Sequence, residues 1–94
     1  MFTGLIQELG KIKTISPLND GSKWQVSVSN DFIKDCELGD SICINGVCST
    51  ITSISDTTLS FDYLPETLNR TTFKWLQTGD LINLEKSLTP TSKM

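Results

Sequence analysis

Residues 41–51 read Ser-Ile-Cys-Ile-Asn-Gly-Val-Cys-Ser-Thr-Ile, and this stretch predicts a β-hairpin. Ile42 and Ile44 alternate with small or polar side chains, the period of a half-buried strand. Asn45-Gly46 suits the tight turn between two strands, because both residues tolerate a positive φ. In the second strand, side chains alternate between faces. One face would carry Cys48, Thr50 and Thr52, and the opposite face Val47, Ser49 and Ile51.

The rest of the chain repeats this alternation and predicts an all-β domain. Polar and apolar side chains alternate over residues 24–29, 59–63 and 82–85, with Gly- and Asp-containing turn signals between the segments. Two short helices are expected, one capped by Ser29 or Asn30 and one opened by Pro65. About six short strands in a chain of this length indicate a small closed barrel, which removes exposed sheet edges.

Composition narrows the classes of function. The 94 residues allow one domain, and the net charge of −3 argues against nucleic acid or an anionic membrane as partner. Histidine is absent, which excludes His-based triads and metal sites, so no metal is expected. The apolar runs are too short for a transmembrane helix, and the first residues do not resemble a signal peptide. Three cysteines with no Cys-x-x-Cys pair indicate free thiols in a reducing cytoplasm.

Polar residues on the predicted strands suggest a ligand site. Thr50 and Asp62 could offer a hydroxyl and a carboxylate near a shared barrel mouth, where a planar heterocycle with hydrogen-bonding edges could bind. The alternative is that these residues are ordinary solvent-facing strand positions. Cys48 is either a nucleophile or a small buried apolar residue. Ser41 has no neighbouring base in the sequence.

Two tryptophans complete the candidate residues. Trp24 and Trp75 are interpreted as packing residues rather than as platforms on which a ligand stacks.

Four blocks of sequence are similar to a known family. They are Met-Phe-Thr-Gly-Leu-Ile-Gln-Glu-Leu-Gly at the start, Gly-Asp-Ser leading to Asn-Gly-Val-Cys-Ser-Thr at 39–50, Pro-Glu-Thr-Leu at 65–68, and Gly-Asp with Asn-Leu-Glu at 79–85. In order and spacing they resemble the N-terminal barrel of riboflavin synthase. The resemblance implies a six-stranded antiparallel Greek-key β-barrel over residues 1–88, with residues 89–94 leading toward a second barrel. It also implies that this chain is an isolated N-terminal half.

The family's reaction is a dismutation that needs no cofactor or metal. Two molecules of 6,7-dimethyl-8-ribityllumazine exchange a four-carbon unit and give riboflavin and 5-amino-6-ribitylaminouracil. The family site forms where the N-barrel of one subunit faces the C-barrel of another, in a trimer. The resemblance therefore implies that the isolated domain binds lumazine or riboflavin and is inactive or weakly active. An isolated barrel would expose an apolar flank, so a homodimer is also expected.

The resemblance carries site residues onto this sequence. It gives Ser41 and Cys48 as catalytic candidates and Phe2 as an aromatic residue near the site. Substrate contacts are implied for Gly4, Leu5, Ile6, Cys48, Ser49, Thr50, Asp62, Tyr63, Leu64, Pro65, Glu66 and Thr67. Ser49 stands where the family often has Leu, which is neutral if only the main chain of this residue is used.

Two other classes compete with the enzyme. One is a non-catalytic relative that holds a lumazine or flavin chromophore as an accessory protein of light emission. The other is an oligonucleotide-binding barrel, which the negative charge and few aromatic residues disfavour.

Overall fold

The structure, a computed structural model, describes residues 5–87. Six strands, two short α-helices and one 3-10 helix follow one another along this part of the chain. In chain order they are β1 (Leu5–Pro17), β2 (Ser22–Ser27), α1 (Asn30–Lys34), β3 (Ser41–Ile44), β4 (Val47–Ser55), β5 (Thr58–Tyr63), α2 (Pro65–Arg70), the 3-10 helix (Thr72–Trp75) and β6 (Leu81–Ser87). The predicted tail, residues 89–94, lies outside the described residues.

The strands close into an antiparallel barrel in the order β1-β2-β5-β4-β3-β6. Consecutive strands β3, β4 and β5 lie side by side. After β5 the chain forms α2 and the 3-10 helix, and β6 then pairs with β3. Three sequential strands followed by a fourth that pairs with the first form a Greek key. The predicted six-stranded Greek-key barrel with one or two short helices is therefore confirmed.

Alternating apolar side chains fill the barrel. Trp24 stacks on Phe73 with ring centroids 4.9 Å apart, and Tyr63 meets Phe73 edge-on at the same distance. Branched aliphatic residues from every strand surround these rings. The largest fully buried of them are Ile12, Ile42, Ile44, Ile51, Leu59, Ile82, Leu84 and Val26. Because these side chains fill the interior, any polar ligand site must lie outside it.

The helix and turn predictions agree with the structure. Ser29 is the N-cap of α1, and its hydroxyl oxygen accepts a hydrogen bond from the Phe32 amide at 3.1 Å. Pro65 stands in the first turn of α2. Asn45 and Gly46 have φ values of 47° and 87°, so the β3–β4 hairpin turns where the sequence predicted.

The 3-10 helix and the exposure of Trp75 were not predicted. The 3-10 helix over Thr72–Trp75 brings Phe73 into the core but leaves Trp75 74% exposed, so the interpretation of Trp75 as a packing residue is wrong. The same interpretation is confirmed for Trp24, which is 3% exposed and donates from its indole nitrogen to Ser22 Oγ at 2.8 Å.

Candidate functional site

The first residues of β4 have a strand partner on one side only. β4 pairs with β3 over Val47–Thr50 and with β5 over Ile51–Ser55. β5 ends at Tyr63, and the chain turns into α2 two residues later. Among the described strands, residues 47–49 thus have no ladder partner on the β5 side. Of these three, Cys48 directs its main-chain N–H and C=O toward the open side, because those of Val47 and Ser49 face β3 in the hairpin. An unpaired strand edge presents main-chain N–H and C=O groups that can bind a ligand.

Side chains from β4, the end of β5 and the start of α2 point outward around this edge. We name this surface the β4–α2 face, and its members are Cys48, Thr50, Asp62, Leu64, Pro65, Glu66 and Thr67. Thr67 is half-buried and the others are exposed.

Thr50, Asp62 and Ser41 form a polar row across three adjacent strands. Ser41 is the cross-strand partner of Thr50. The register that pairs Ile51 with Phe61 places Asp62 beside Thr50 one residue further on. All three side chains are exposed, so they lie on the outer wall of the barrel rather than at its mouth. The structure therefore brings these predicted residues together, at a place that the sequence did not predict.

Asp62 already has a partner within the chain. Its carboxylate lies 3.0 Å from Lys23 Nζ, and the two side chains are 46% and 36% exposed. An exposed pair of this kind contributes little to stability, so its groups can exchange partners with a ligand at small cost.

Cys48 is exposed, and the interpretation of it as a buried apolar residue is wrong. That interpretation applies instead to Cys36, which is buried and whose thiol donates to the Phe32 carbonyl oxygen at 3.3 Å. Burial raises the pKa of the Cys36 thiol. Because Cys48 points to solvent from the β4–α2 face, its sulfur is accessible to small molecules.

Ser49 and Tyr63 point the opposite way, into the barrel. The Tyr63 hydroxyl donates to Ser49 Oγ at 2.6 Å, and Ser49 Oγ donates to the Val47 carbonyl oxygen at 3.1 Å. Burial raises the pKa of the Tyr63 phenol far above its usual range, against a smaller lowering by the hydrogen bond to Ser49. Both side chains are used inside the core, and both main chains have partners in the sheet, Ser49 opposite Ile42 of β3 and Tyr63 opposite Ser22 of β2, so these two predicted site residues support the face from inside the barrel.

The start of α2 adds an apolar edge to the β4–α2 face. Leu64 is 54% exposed, and Pro65 follows it at the surface. An exposed leucine next to a proline ring offers a flat, rigid apolar contact for a planar ring system. Glu66 and Thr67 follow in the first turn of α2.

The predicted contacts at the chain start lie apart from this surface. The main chains of Leu5 and Ile6 pair with Ser87 and Lys86 of β6. From β1, the sheet crosses β6 and β3 before it reaches β4, a path of about 14 Å at the usual strand spacing. The strand partner of Ile6 is Lys86, which reaches Asp40 beside Ser41, so the chain start is linked to the neighbourhood of β3 by this side chain. Phe2 and Gly4 lie outside the described residues.

An ion pair beside Ser41 was missed by the sequence analysis. Lys86 Nζ lies 3.1 Å from Asp40 Oδ2, and the two side chains are 14% and 5% exposed. Asp40 also accepts from the Glu37 amide at 3.0 Å. The pair joins the end of β6 to the residue before β3. Glycine and aspartate at 39–40 signal a turn, but nothing local in the sequence points to a partner so distant along the chain.

A surface cavity of about 330 Å³ lies on another part of the wall, between β1 and β6. Its lining residues are Gln7, Glu8, Leu9, Asn83, Leu84 and Glu85, none of which was predicted to bind a ligand. The lining includes two carboxylates, and the two strands beneath it pair continuously from Leu5 to Lys11. No strand edge is open there, so we place the candidate site on the β4–α2 face.

The described part of the chain holds neither a metal-binding cluster nor a membrane-spanning helix. Residues 5–87 contain no group of three or more His, Cys, Asp or Glu side chains that could hold a metal ion. No helix within the described residues is long and apolar enough to cross a membrane.

A small closed Greek-key barrel with an open strand edge and polar side chains on its outer wall is a scaffold for binding small ligands. Comparison with known proteins identifies the family of this barrel. The family model described as the lumazine-binding domain matches residues 3–87. The chain belongs to the lumazine-binding domain family.

Curated relatives carry the same domain in a longer protein. Riboflavin synthase from Photobacterium phosphoreum is 39% identical over 95 residues, which cover 99% of this chain and 43% of that protein. Riboflavin synthase from Buchnera aphidicola subsp. Baizongia pistaciae is 40% identical over 88 residues, or 94% of this chain and 42% of that protein. The chain thus spans less than half the length of these relatives.

Solved structures show the same fold. A crystal structure of LumP complexed with 6,7-dimethyl-8-(1'-D-ribityl) lumazine has a TM-score of 0.81 and 32% identity, covering 96% of this chain and 49% of that one. LumP complexed with riboflavin has a TM-score of 0.80 and 32% identity, covering 97% and 48%.

Proposed function

We propose that this chain binds a lumazine or flavin ring on the β4–α2 face. The observation that carries the proposal is the open edge of β4 at residues 47–49, flanked by exposed Thr50 and by the start of α2. The likeness to LumP structures that contain lumazine or riboflavin supports the ligand class.

The chemistry of the ligand suits the groups on this face. The pyrimidinedione edge of a lumazine alternates carbonyl acceptors with an N–H donor, and a strand edge offers the complementary main-chain groups. Thr50 can donate or accept through its hydroxyl, and Asp62 can accept from ribityl hydroxyl groups. Leu64 and Pro65 would cover one side of the ring. We assign a supporting role to Ser49 and Tyr63, whose hydrogen bond holds the open edge from inside the barrel, and ligand contacts to Glu66 and Thr67 through α2.

The segment at the chain start is also part of the proposal. We propose that Gly4, Leu5 and Ile6 contribute contacts and that Phe2 packs near the ligand. The support is the similarity of the opening block to riboflavin synthase.

We further propose that the chain is the N-terminal barrel of a riboflavin synthase. In the full-length enzyme, two lumazines would exchange a four-carbon unit to give riboflavin and 5-amino-6-ribitylaminouracil, without a metal or cofactor. Ser41 and Cys48 are the proposed catalytic residues, and their exposure on adjacent strands supports that role. The barrel would mainly orient one substrate against the second barrel. On this proposal the 94-residue chain binds ligand but turns over weakly or not at all.

A second candidate is a non-catalytic accessory protein of light emission that holds one chromophore. The observation that favours it is the likeness to LumP. Turnover of dimethylribityllumazine by a chain that includes the second barrel would decide for the enzyme. Tight binding of the chromophore without turnover by that longer chain would decide for the accessory protein.

The proposed ligand site is tested by fluorescence titration with riboflavin and with dimethylribityllumazine. We expect saturable binding of about one ligand per chain in the micromolar range. Thr50→Val should weaken binding about tenfold, since it keeps the shape and removes one hydrogen bond. Thr52→Val is the matched control, because Thr52 is exposed two residues further along the same strand and its hydroxyl bonds only within the sheet, to Ser60. Equal affinities of the two variants would contradict the proposed site.

We also propose that the isolated chain is a homodimer in the cytoplasm. Leu9 and Leu81 are 63% and 61% exposed and lie diagonally opposite on the outer wall of β1 and β6. Sedimentation should show a dimer at high micromolar concentration that Leu9→Glu weakens about tenfold. Leu38→Glu is the control, since Leu38 is 65% exposed but lies in the loop before β3. A monomer throughout would contradict the dimer.

A further inference from the structure

Two cysteines face each other across the β3–β4 hairpin. Cys43 is the cross-strand partner of Cys48, one pair beyond Ile44 and Val47, which flank the turn. In a two-residue hairpin the pair next to the turn is the hydrogen-bonded one, so the following pair is non-hydrogen-bonded. Such a pair has Cα atoms about 4.5 Å apart and its side chains at closest approach. A disulfide spans Cα separations of about 4.4–6.8 Å, so the backbone can accept this bond where it stands.

Both thiols point to the outer wall. Cys48 is exposed and Cys43 is half-buried, while the neighbouring Ile42 and Ile44 fill the barrel. Both sulfurs are free thiols. The third cysteine is Cys36, which is buried and hydrogen-bonded to the Phe32 carbonyl, so it does not compete for an oxidant.

We propose that Cys43 and Cys48 form a reversible cross-strand disulfide that controls ligand binding on the β4–α2 face. The control of binding rests on the proposed function, because Cys48 belongs to that face. The formation of the disulfide rests on the hairpin alone.

The oxidant in this proposal is glutathione disulfide. The Cys48 thiolate attacks one sulfur of glutathione disulfide and displaces the other as glutathione thiolate, which gains the proton lost by Cys48. The Cys43 thiolate then attacks the Cys48 sulfur of the mixed disulfide and displaces the second glutathione, which gains the proton lost by Cys43. Two protein thiols are oxidised to one disulfide, and one glutathione disulfide is reduced to two thiols.

The position of the pair makes this disulfide easy to reverse. The bond closes a loop of only six residues, 43–48, so it removes little entropy from the unfolded chain. Exposed disulfides are also the ones that thiols reduce readily. Oxidation would draw the Cys48 sulfur toward β3 and remove a thiol from the β4–α2 face, so we expect riboflavin affinity to fall about tenfold.

The test equilibrates the full 94-residue chain with glutathione redox buffers and measures free thiols by alkylation and mass spectrometry. Wild type and Cys36→Ser should lose the thiols of Cys43 and Cys48 together, gain an internal disulfide, and recover both thiols with reductant. Cys43→Ser should instead accumulate a glutathione adduct on Cys48. Circular dichroism of each variant confirms the fold. Glutathione adducts or disulfides between chains in wild type, without a Cys43–Cys48 bond, would overturn the proposal that this disulfide forms.

Riboflavin titrations of the isolated oxidised and reduced forms test the control of binding. Cys43→Ser, held under reductant, should bind as tightly as reduced wild type, because Cys43 is outside the proposed ligand contacts. Equal affinities of the oxidised and reduced forms would overturn the control of binding. Absence of binding by the reduced protein would instead contradict the proposed function, and the thiol measurement would still decide whether the disulfide forms.

Discussion

Tyr63 shows how one side chain supports both the core and the candidate site. It lies at the end of β5, where the chain leaves the sheet for α2, and its ring packs against Trp24 and Phe73. Its hydroxyl donates to Ser49 on the inner side of the open β4 segment. The bond holds β4 to the end of β5 over the residues where their ladder has stopped. Tyr63 therefore positions the β4–α2 face from inside the barrel.

Tyr63→Phe should lower the free energy of unfolding by about 1 kcal/mol near neutral pH, the usual net value of one hydrogen bond. The substitution should also change the alkaline limb of the stability curve. Burial raises the pKa of Tyr63 in the folded state, whereas the unfolded phenol ionises near pH 10. The stabilisation is thus complete below about pH 10 and is lost above it, by up to about 1.4 kcal/mol per pH unit.

Urea unfolding at a series of alkaline pH values measures this effect. Tyr63 is the single tyrosine in the sequence, so the difference between wild type and Tyr63→Phe isolates its titration from that of the lysines. The difference in unfolding free energy should shrink as pH rises above about 10 and then change sign, so that Tyr63→Phe becomes the more stable protein. A difference that stays constant with pH would contradict the shifted pKa.

Residue-level prediction from sequence succeeded where a single alternation decides the outcome. Thr50, Ser49 and their neighbours lie on the faces that the period of two predicted. It failed for Cys48, because the composition of a strand does not say whether a cysteine on the polar face is exposed. It also failed for Trp75, whose side chain is carried outward by a 3-10 helix with no periodic signal.

At the scale of elements, the turns decide how the strands meet. Gly21 joins β1 to β2 at φ 97°, and a Cβ there would overlap the carbonyl oxygen of Tyr63. Gly46 joins β3 to β4 at φ 87°, with open space around the position of a Cβ. The two glycines share a backbone conformation and differ in what surrounds them.

These surroundings predict different costs for the same substitution. Gly46→Ala should lower the free energy of unfolding by about 1 kcal/mol, the conformational cost alone. Gly21→Ala should cost more than about 3 kcal/mol, because the main chain of Tyr63 must also move. Urea unfolding followed by tryptophan fluorescence measures both, and equal costs would contradict the close approach at Gly21.

The sequence pattern was least informative for β1, because this strand pairs with different strands along its length. β1 pairs with β6 through Leu5–Lys11 and with β2 through Lys11–Pro17, with a bulge between Ile12 and Thr14. A strand that changes partner and contains a bulge does not keep one inward face, so its alternation is weak. The short strand β3 was easier to predict from the sequence, because the Asn45-Gly46 turn fixes its register against β4.

At the scale of the whole molecule, closure of the barrel depends on contacts that no local pattern encodes. β6 pairs with both β1 and β3, and Lys86 near its end reaches Asp40 across 46 residues of sequence. The count of strands and the need to hide sheet edges predicted a closed barrel, and the strand order came from the family resemblance. The open edge of β4 follows from where β5 stops, at Tyr63, two residues before α2 begins.

On the proposed function, the ligand lies on the β4–α2 face and not in the cavity between β1 and β6. Amide NMR spectra of nitrogen-labelled protein, recorded during a riboflavin titration, locate the ligand directly. We expect saturable shifts at the amides of Cys48–Thr50, Leu64, Glu66 and Thr67, with Glu8, Leu9 and Asn83–Glu85 unchanged. Shifts confined to the residues that line the cavity, or no saturable shifts at all, would contradict a ligand on the β4–α2 face.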